Sequence, residues 1–251
     1  MSDAMFDLLG WRALLIHGDP CVLDRWLWLR RHLRSGRTFD AGCGNGGFTI
    51  YAALQGNEVL AASFSAAEQE AAKRRAQSLG LSASIDFRVI DLREIEQQRA
   101  ALGSFSQIIC FETIEHLLDD EGLVRSLAAM LEPGGRLLLT APFDGHRPLF
   151  SEDPDPDPVE DGLHVRFGYS QARLREVIEQ AGLRTGEEGF VSGVVSQKLT
   201  DLMRRLTNRF GLKFAWPLLL PLRALVLLDR PLSAVLRYPY LSVAAVAIKP
   251  A

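Results

Sequence analysis

The stretch FDAGCGNGGFT, residues 39–49, decides the fold. It joins the end of an apolar run to a helical pattern through a loop that contains Gly42, Gly44 and Gly46. Glycines let the backbone turn tightly and approach a ligand, and the N-terminus of the following helix offers free N–H groups. This order of elements predicts a ligand-binding loop, although a glycine loop alone is typical of many nucleotide-binding folds.

The chain around this loop alternates between strand and helix patterns. An amphipathic helix at residues 21–33 precedes it, and the helix SQARLREVIEQAGL has Ser170 as its predicted N-cap. The predicted strands after the first are EVLAASFS, SIDFRVIDL, SQIICFE, RLLLTAP, EEGFVSGVVSQ and YLSVAAVAIKP. Alternation of this kind predicts right-handed crossovers and a largely parallel sheet. We therefore divide the chain into an N-terminal helical segment (1–36), a core (37–197), a helical insertion (198–239) and a final strand (240–251).

Three motifs together resemble those of the class I S-adenosylmethionine (SAM) methyltransferases. FDAGCGNGGFT matches the first motif of that family, VIDL the segment with an adenine-contacting acid, and LEPGGRLLLTAP the segment that enters the fifth strand. The resemblance covers roughly residues 37–182. It implies an α/β, Rossmann-like sheet of seven strands whose last strand is antiparallel, with SAM as the cofactor.

The resemblance also implies roles for single residues. Asp40 and the backbone of the glycine loop would hold the methionine end of SAM, while Asp91 would accept a hydrogen bond from the adenine amino group. The complete implied cofactor set is Asp40, Gly42, Cys43, Gly44, Gly46, Ser63, Phe64, Asp91, Leu92 and Phe111.

One position departs from the family pattern. The second strand of the family usually ends in an acid that holds both ribose hydroxyls, and Ser63 stands there instead. A hydroxyl accepts hydrogen bonds more weakly than a carboxylate. Either Ser63 shares this role with Glu68 or Gln69, or SAM binds less tightly.

The sequence after the fourth strand contains a second motif, Glu112-x-x-Glu115-His116. It resembles a pattern in ubiquinone-pathway O-methyltransferases and small-RNA 2′-O-methyltransferases, where it can hold a divalent cation with a further histidine, here His164. Such a cation, Mg²⁺, Mn²⁺, Fe²⁺ or Zn²⁺, would acidify a substrate hydroxyl. We name Glu112, Glu115, His116 and His164 as candidate catalytic and metal-binding residues.

Other interpretations of this motif remain open. Acids in a first helical turn also complement the helix dipole without any metal, and His116 could act as a general base. His164 could contact the substrate or only belong to its loop.

The insertion at 198–239 is apolar and basic. From residue 198 to the end there are nine Lys and Arg against two Asp, a net charge of +7, so residues 1–197 carry −10 of the total of −3. Since ligands bind at the carboxyl ends of strands, an insertion after the sixth strand should cap the site. Its composition fits either contact with an anionic membrane surface or packing and dimerisation. The acidic core disfavours nucleic acid as a partner.

The cysteines Cys21, Cys43 and Cys110 are scattered and form no C-x-x-C, which argues against a disulfide framework and a thiolate zinc site. With no apolar signal segment at the N-terminus, we expect a cytoplasmic protein, membrane-peripheral if the insertion contacts lipid. We expect SAM-dependent methylation of a small, hydrophobic or lipid-linked molecule, most simply at oxygen. The alternatives are a SAM-fold protein without methyl transfer and an RNA 2′-O-methyltransferase. The oligomeric state is left open.

Overall fold

The structure is a computed structural model that describes residues 20–147, 156–160 and 162–251. The N-terminal stretch in which no signal segment was found lies outside the described residues, as does half of the acidic, proline-rich segment at 151–162.

A seven-stranded sheet with the order β3-β2-β1-β4-β5-β7-β6 forms the centre of the molecule. Strand β7 is antiparallel to both β5 and β6, and β1 to β5 pair in parallel, which confirms the predicted fold class. The strands are Arg37–Ala41 (β1), Glu58–Ser63 (β2), Ile85–Val89 (β3), Phe105–Phe111 (β4), Leu131–Pro142 (β5), Arg184–Val191 (β6) and Ser242–Ile248 (β7).

Helices cover both faces of the sheet and form a core on each side. Neighbouring residues of a strand point to opposite faces, so Ile108 packs in one core and Ile109 in the other. The first core is covered by α4 (Ile95–Leu102), α5 (Asp120–Met130) and α6 (Gln171–Gln180). The second is covered by α1 (Pro20–His32), α2 (Gly47–Leu54) and α3 (Ala66–Ser78). Ser170 caps α6 as predicted, since its side chain accepts a hydrogen bond from the Arg173 N–H.

The insertion between β6 and β7 is helical. It contains α7 (Val194–Phe210), α8 (Leu212–Leu219), a 3-10 segment (Pro221–Leu228) and α9 (Asp229–Leu236). Helix α7 therefore begins before the predicted boundary at residue 198. Across the described ranges, no helix is both long and apolar enough to cross a bilayer.

The start of α7 is fixed by residues far along the chain. Asp229 accepts hydrogen bonds from the N–H groups of Val195 (2.6 Å) and Ser196 (3.1 Å), and Ser233 accepts one from Val194 (2.8 Å). Free N–H groups at a helix start need such acceptors. The last helix of the insertion thus holds the first one at the carboxyl edge of the sheet.

Candidate functional site

A cavity of about 300 Å³ opens at the carboxyl ends of the parallel strands. This edge is where open α/β sheets bind their ligands. The cavity is lined by residues from the glycine loop, the ends of β2 and β3, the turn after β4 and the loop before α6: Gly42, Gly44, Ser63, Phe64, Glu68, Ile90, Asp91, Leu92, Arg93, Glu112, Thr113, His116, Leu117, Glu160 and Gly162.

The glycine loop approaches the cavity with its backbone. Gly42 has φ +87°, and a Cβ at this position would lie 2.4 Å from the Thr113 Oγ1. Gly44 has φ +48°, and among the described residues nothing would lie within 4 Å of its Cβ. The close approach of Thr113 therefore requires glycine at position 42, and Gly44 leaves open space beside the loop backbone.

Asp40 lies beneath the loop instead of facing the cavity. Its carboxylate is buried and accepts a 2.5 Å hydrogen bond from the Thr49 hydroxyl. Burial raises the pKa of Asp40 to about 6, against the two hydrogen bonds from Thr49, which lower it. In this structure Asp40 joins the end of β1 to the first turns of α2, and so supports the loop that borders the cavity.

Three other predicted cofactor residues also stay behind the cavity wall in the part of the chain that the structure describes. The Cys43 thiol is buried beside Gln69, and burial raises its pKa. Gly46 packs near Ala72. Phe111 packs against Trp28 and Phe48, with ring centroids 5.7 and 5.0 Å away.

At the end of β2 the cavity has a carboxylate from the next helix, that of Glu68 in α3. Ser63 and Glu68 both line the cavity, and the Ser63 hydroxyl lies 3.3 Å from the Glu68 carboxylate, to which it can donate. Gln69 is turned away, since its amide donates to the backbone carbonyls of Ala61 (3.1 Å) and Arg88 (2.7 Å). Of the two partners suggested for Ser63, the structure brings Glu68 to the site.

Asp91 also lines the cavity, and an arginine holds its carboxylate. The Arg93 guanidinium donates to Asp91 from Nη2 (2.5 Å) and Nε (2.9 Å), and this contact lowers the pKa of Asp91. Arg93 also lies 3.7 Å from Glu160, whose carboxylate accepts a hydrogen bond from the Leu118 N–H. Sequence reasoning missed Arg93 and Glu160, because their meeting depends on how a distant loop folds back.

A short 3-10 turn, Ile114–His116, follows β4 and contains Glu115 and His116, the last two residues of the Glu-x-x-Glu-His motif. Glu115, His116 and His164 each place one potential ligand atom within 4.8 Å of the others. Glu115 is fully buried, and neither of its carboxylate oxygens has a hydrogen-bond partner among the described residues. Burial, and then the nearby charge of Glu112, raises the pKa of Glu115.

The loop before α6 fixes the two histidines against this turn. The Val165 N–H donates to the Glu115 carbonyl at 2.9 Å, and the Leu163 carbonyl lies 3.1 Å from the His116 Nδ1. The rings of His116 and His164 meet edge to face, with centroids 4.8 Å apart. His116 presents a partly exposed edge to the cavity, whereas Glu115 lies behind it.

Glu112 stands apart from these three residues, although the sequence motif grouped it with Glu115 and His116. The segment forms a 3-10 turn, and Glu112 precedes it with a left-handed backbone, φ +47°. Its carboxylate accepts hydrogen bonds from Arg25 in α1 and Ser242 in β7, both at 3.0 Å. Glu112 therefore lines the cavity while its charge is paired with Arg25.

Comparison with known proteins gives a family match within the core. Residues 39–139 match the family model described as "Methyltransferase domain". A ubiquinone biosynthesis O-methyltransferase from Xanthomonas oryzae pv. oryzae is 31% identical over 140 residues, and one from Xanthomonas campestris pv. campestris is 32% identical over the same length. The chain spans about half the length of these curated relatives, since the match covers 56% of each of them and 56% of this chain.

Solved structures extend the similarity of fold to nearly the whole chain. A putative sarcosine dimethylglycine methyltransferase from Galdieria sulphuraria has a TM-score of 0.62 at 17% identity, covering 91% of this chain and 86% of that one. The [4+2]-cyclase SpnF has a TM-score of 0.60 at 20% identity, and the match covers 98% of this chain and 95% of SpnF. At such identities the likeness establishes the fold alone.

Proposed function

We propose that this chain is a class I SAM-dependent methyltransferase that transfers a methyl group to an oxygen atom of a small, hydrophobic molecule. Its fold and the match of residues 39–139 to the methyltransferase domain family support the proposal. The observation that carries the proposal is the cavity at the carboxyl edge of the sheet. There the glycine loop, the Ser63–Glu68 pair, Asp91 and the His116 turn meet around one space.

The residues around the cavity fit SAM. Gly44 leaves room beside the loop backbone, and Glu68 and Asp91 offer carboxylates to hydroxyl or amino groups. Ile90, Leu92 and Leu117 offer apolar surface to the flat adenine ring. SAM supplies a methyl group on a positively charged sulfur, ready for attack by a nucleophilic oxygen.

The polar residues after β4 would prepare that oxygen. His116 presents a ring edge to the cavity, where it can accept the hydroxyl proton of the acceptor as a general base. Thr113 and Glu112 flank it and would orient the acceptor. Glu160 and Gly162 also line the cavity and would limit the access of water to it.

As an alternative to general-base catalysis by His116, the residues Glu115, His116 and His164 would hold a divalent cation. The fit rests on the buried carboxylate of Glu115, whose oxygens lack partners among the described residues, beside two imidazoles. One carboxylate and two imidazoles suit Fe²⁺, Mn²⁺ or Zn²⁺. A bound cation would supply Lewis acidity to the acceptor hydroxyl.

Support for oxygen as the methylated atom comes from the curated relatives, which are named as O-methyltransferases of ubiquinone biosynthesis. The exposed apolar surface of the insertion, at the same edge of the sheet, favours a hydrophobic acceptor.

The test uses SAM with a radiolabelled methyl group and an extract of the source cells, partitioned between organic solvent and water. We expect label in the organic phase with the parent protein and no label with the His116→Ala variant. The control variant His32→Ala, which changes a histidine at the far end of α1, should give as much label as the parent. Label confined to water would contradict a hydrophobic acceptor. Loss of activity with EDTA, restored by one of the named cations, would support the metal site, and full activity in EDTA would refute it.

A second candidate function is a SAM-fold protein that transfers no methyl group. Ser63, where the family pattern has an acid, favours it. Calorimetry with SAM separates the candidates in part, since absence of binding at millimolar SAM would overturn the methyltransferase proposal. Binding without labelled product in the presence of the acceptor would favour the second candidate.

A further inference from the structure

The second half of the insertion has polar residues inside and apolar residues outside. Half of the residues that it buries are polar, in the set Ala215, Leu219, Arg223, Val226, Asp229 and Ser233. Large apolar side chains are exposed instead, with Phe214 at 74%, Leu218 at 65% and Val235 at 79%. A surface helix of a protein in water normally shows the opposite arrangement.

Exposed apolar residues recur at intervals of three or four positions, in the series Phe214, Leu218, Leu222, Leu225, Leu228, Leu232 and Val235. Leu227 and Leu236 are exposed next to members of this series. The first two helical segments join through Leu220, which has right-handed helical backbone angles. The last two join through Leu228, with φ −94° and ψ 3°, and Asp229, which is right-handed helical. The intervals therefore place these side chains in one stripe along the outer side of the insertion. A stripe of this length is more than the scattered apolar residues of an ordinary surface.

The charges around the stripe identify its partner. The exposed charged residues of α8, the 3-10 segment and α9 are Lys213 and Arg230, and Arg237 follows α9 directly. Arg204, Arg205 and Arg209 are exposed on α7. The two acids of the insertion are neutralised or hidden, since Asp201 pairs with Arg205 at 2.8 Å and Asp229 is buried. An apolar stripe with a basic border matches a bilayer surface that contains anionic lipid. A second copy fits less well, because a symmetric contact of two such faces would oppose like charges.

We infer that the insertion binds the surface of a membrane that contains anionic lipid, with the stripe immersed among the lipids and the basic residues at the headgroups. The helices lie in the plane of the membrane, since none in the described ranges could cross it. The Gln197 amide donates to the carbonyls of Ser192 (2.9 Å) and Pro239 (2.8 Å), and so fastens the insertion at the cavity end of the sheet. On the proposed function, this would let a hydrophobic acceptor pass from the membrane to the cavity.

Co-sedimentation of the full chain with vesicles tests the inference without any activity measurement. We expect binding to vesicles of phosphatidylglycerol and phosphatidylcholine, and at least about tenfold weaker binding to phosphatidylcholine alone. The double variant Phe214→Ser, Leu218→Ser should weaken binding at least about tenfold, because it removes two immersed side chains. The matched control, Leu54→Ser with Val89→Ser, changes exposed apolar residues of α2 and β3 and should bind like the parent.

Arg209→Glu with Lys213→Glu tests the charges separately and should abolish the preference for phosphatidylglycerol while the fold, followed by circular dichroism, is kept. Absence of vesicle binding by the parent, or equal binding by the Phe214–Leu218 variant, would overturn the inference. A parent that does not bind vesicles but forms a dimer, dispersed by the same two serines, would assign the stripe to a second copy instead.

Discussion

Arg25 and Glu112 are 87 residues apart in sequence, and their side chains meet at 3.0 Å beside the cavity. Arg25 lies in α1 and Glu112 follows β4, so this ion pair joins the helix before the core to the carboxyl edge of the sheet. Because both side chains are largely buried, removing one partner leaves a charge with little access to water.

Arg25→Met should therefore destabilise the fold by about 1–3 kcal/mol, and Glu112→Gln by less, since a glutamine can still accept the Ser242 hydrogen bond. Urea unfolding of both single variants and the double variant measures this. The double variant should cost less than the sum of the singles. Additive losses would show that the two side chains do not interact in solution.

Asp40 should make stability depend on pH. Its pKa in the folded state, about 6, lies above the ordinary value of 3.8, so the folded state binds more protons than the unfolded chain between these values. The free energy of unfolding should therefore fall as pH rises from 3.8 to about 6, and the loss is complete above the folded pKa.

Asp40→Asn removes this ionisation and can still accept a hydrogen bond from the Thr49 hydroxyl. The variant should be more stable than the parent above pH 6, by roughly 3 kcal/mol at most, and the difference should shrink toward pH 4. Denaturant unfolding across this range is the measurement. Asp86→Asn, an exposed acid that pairs with Arg88, serves as the surface control. A difference between Asp40→Asn and the parent that does not change with pH would contradict the prediction.

Gly42→Ala should disrupt the loop for two separable reasons: a left-handed φ of +87° and the contact with Thr113. We expect a loss of about 2–4 kcal/mol in stability and loss of SAM binding. Gly80 has a similar φ, +72°, and a Cβ there would have no close neighbour among the described residues. The control Gly80→Ala should therefore lose only the stability that the backbone angle costs, about 1 kcal/mol. Adding Thr113→Ala to Gly42→Ala should recover the difference in stability. No recovery would mean that the backbone angle alone explains the loss.

Glu68→Gln should weaken SAM binding by about tenfold, because the amide replaces the carboxylate that reaches the cavity beside Ser63. Glu70→Gln lies on the same helix with its side chain paired to Arg74 at 3.4 Å, and should leave the affinity unchanged. Calorimetry provides both dissociation constants. Equal affinities for the Glu68 variant and the parent would return the ribose-binding role to Ser63 alone or to another residue.

The sequence predicted the parts of the site that depend on neighbours in the chain. The glycine loop after β1, the position of Asp91 after β3 and the Glu115-His116 turn after β4 all lie at strand ends that local patterns reveal. Alternating strands and helices allow few topologies, and resemblance to a known family supplied the seven strands and the antiparallel last strand, which the structure confirmed.

Contacts between distant segments could not be predicted in this way. No local pattern indicates that Arg25 neutralises Glu112, that Arg93 and Glu160 meet over Asp91, or that Asp229 holds the start of α7. The direction of the Asp40 carboxylate could not be predicted either. The motif identified the residue, but in the structure its carboxylate is buried under the loop and faces Thr49.

By itself, the sequence determined the order of the elements and the residues at the carboxyl edge, because hydrophobic periodicity and glycine placement act over a few residues. Tertiary structure alone decided which charges are paired, which carboxylates face the cavity, and that the insertion exposes its apolar residues. Those outcomes depend on burial and on distances between segments far apart in the chain, and no short window of sequence contains them.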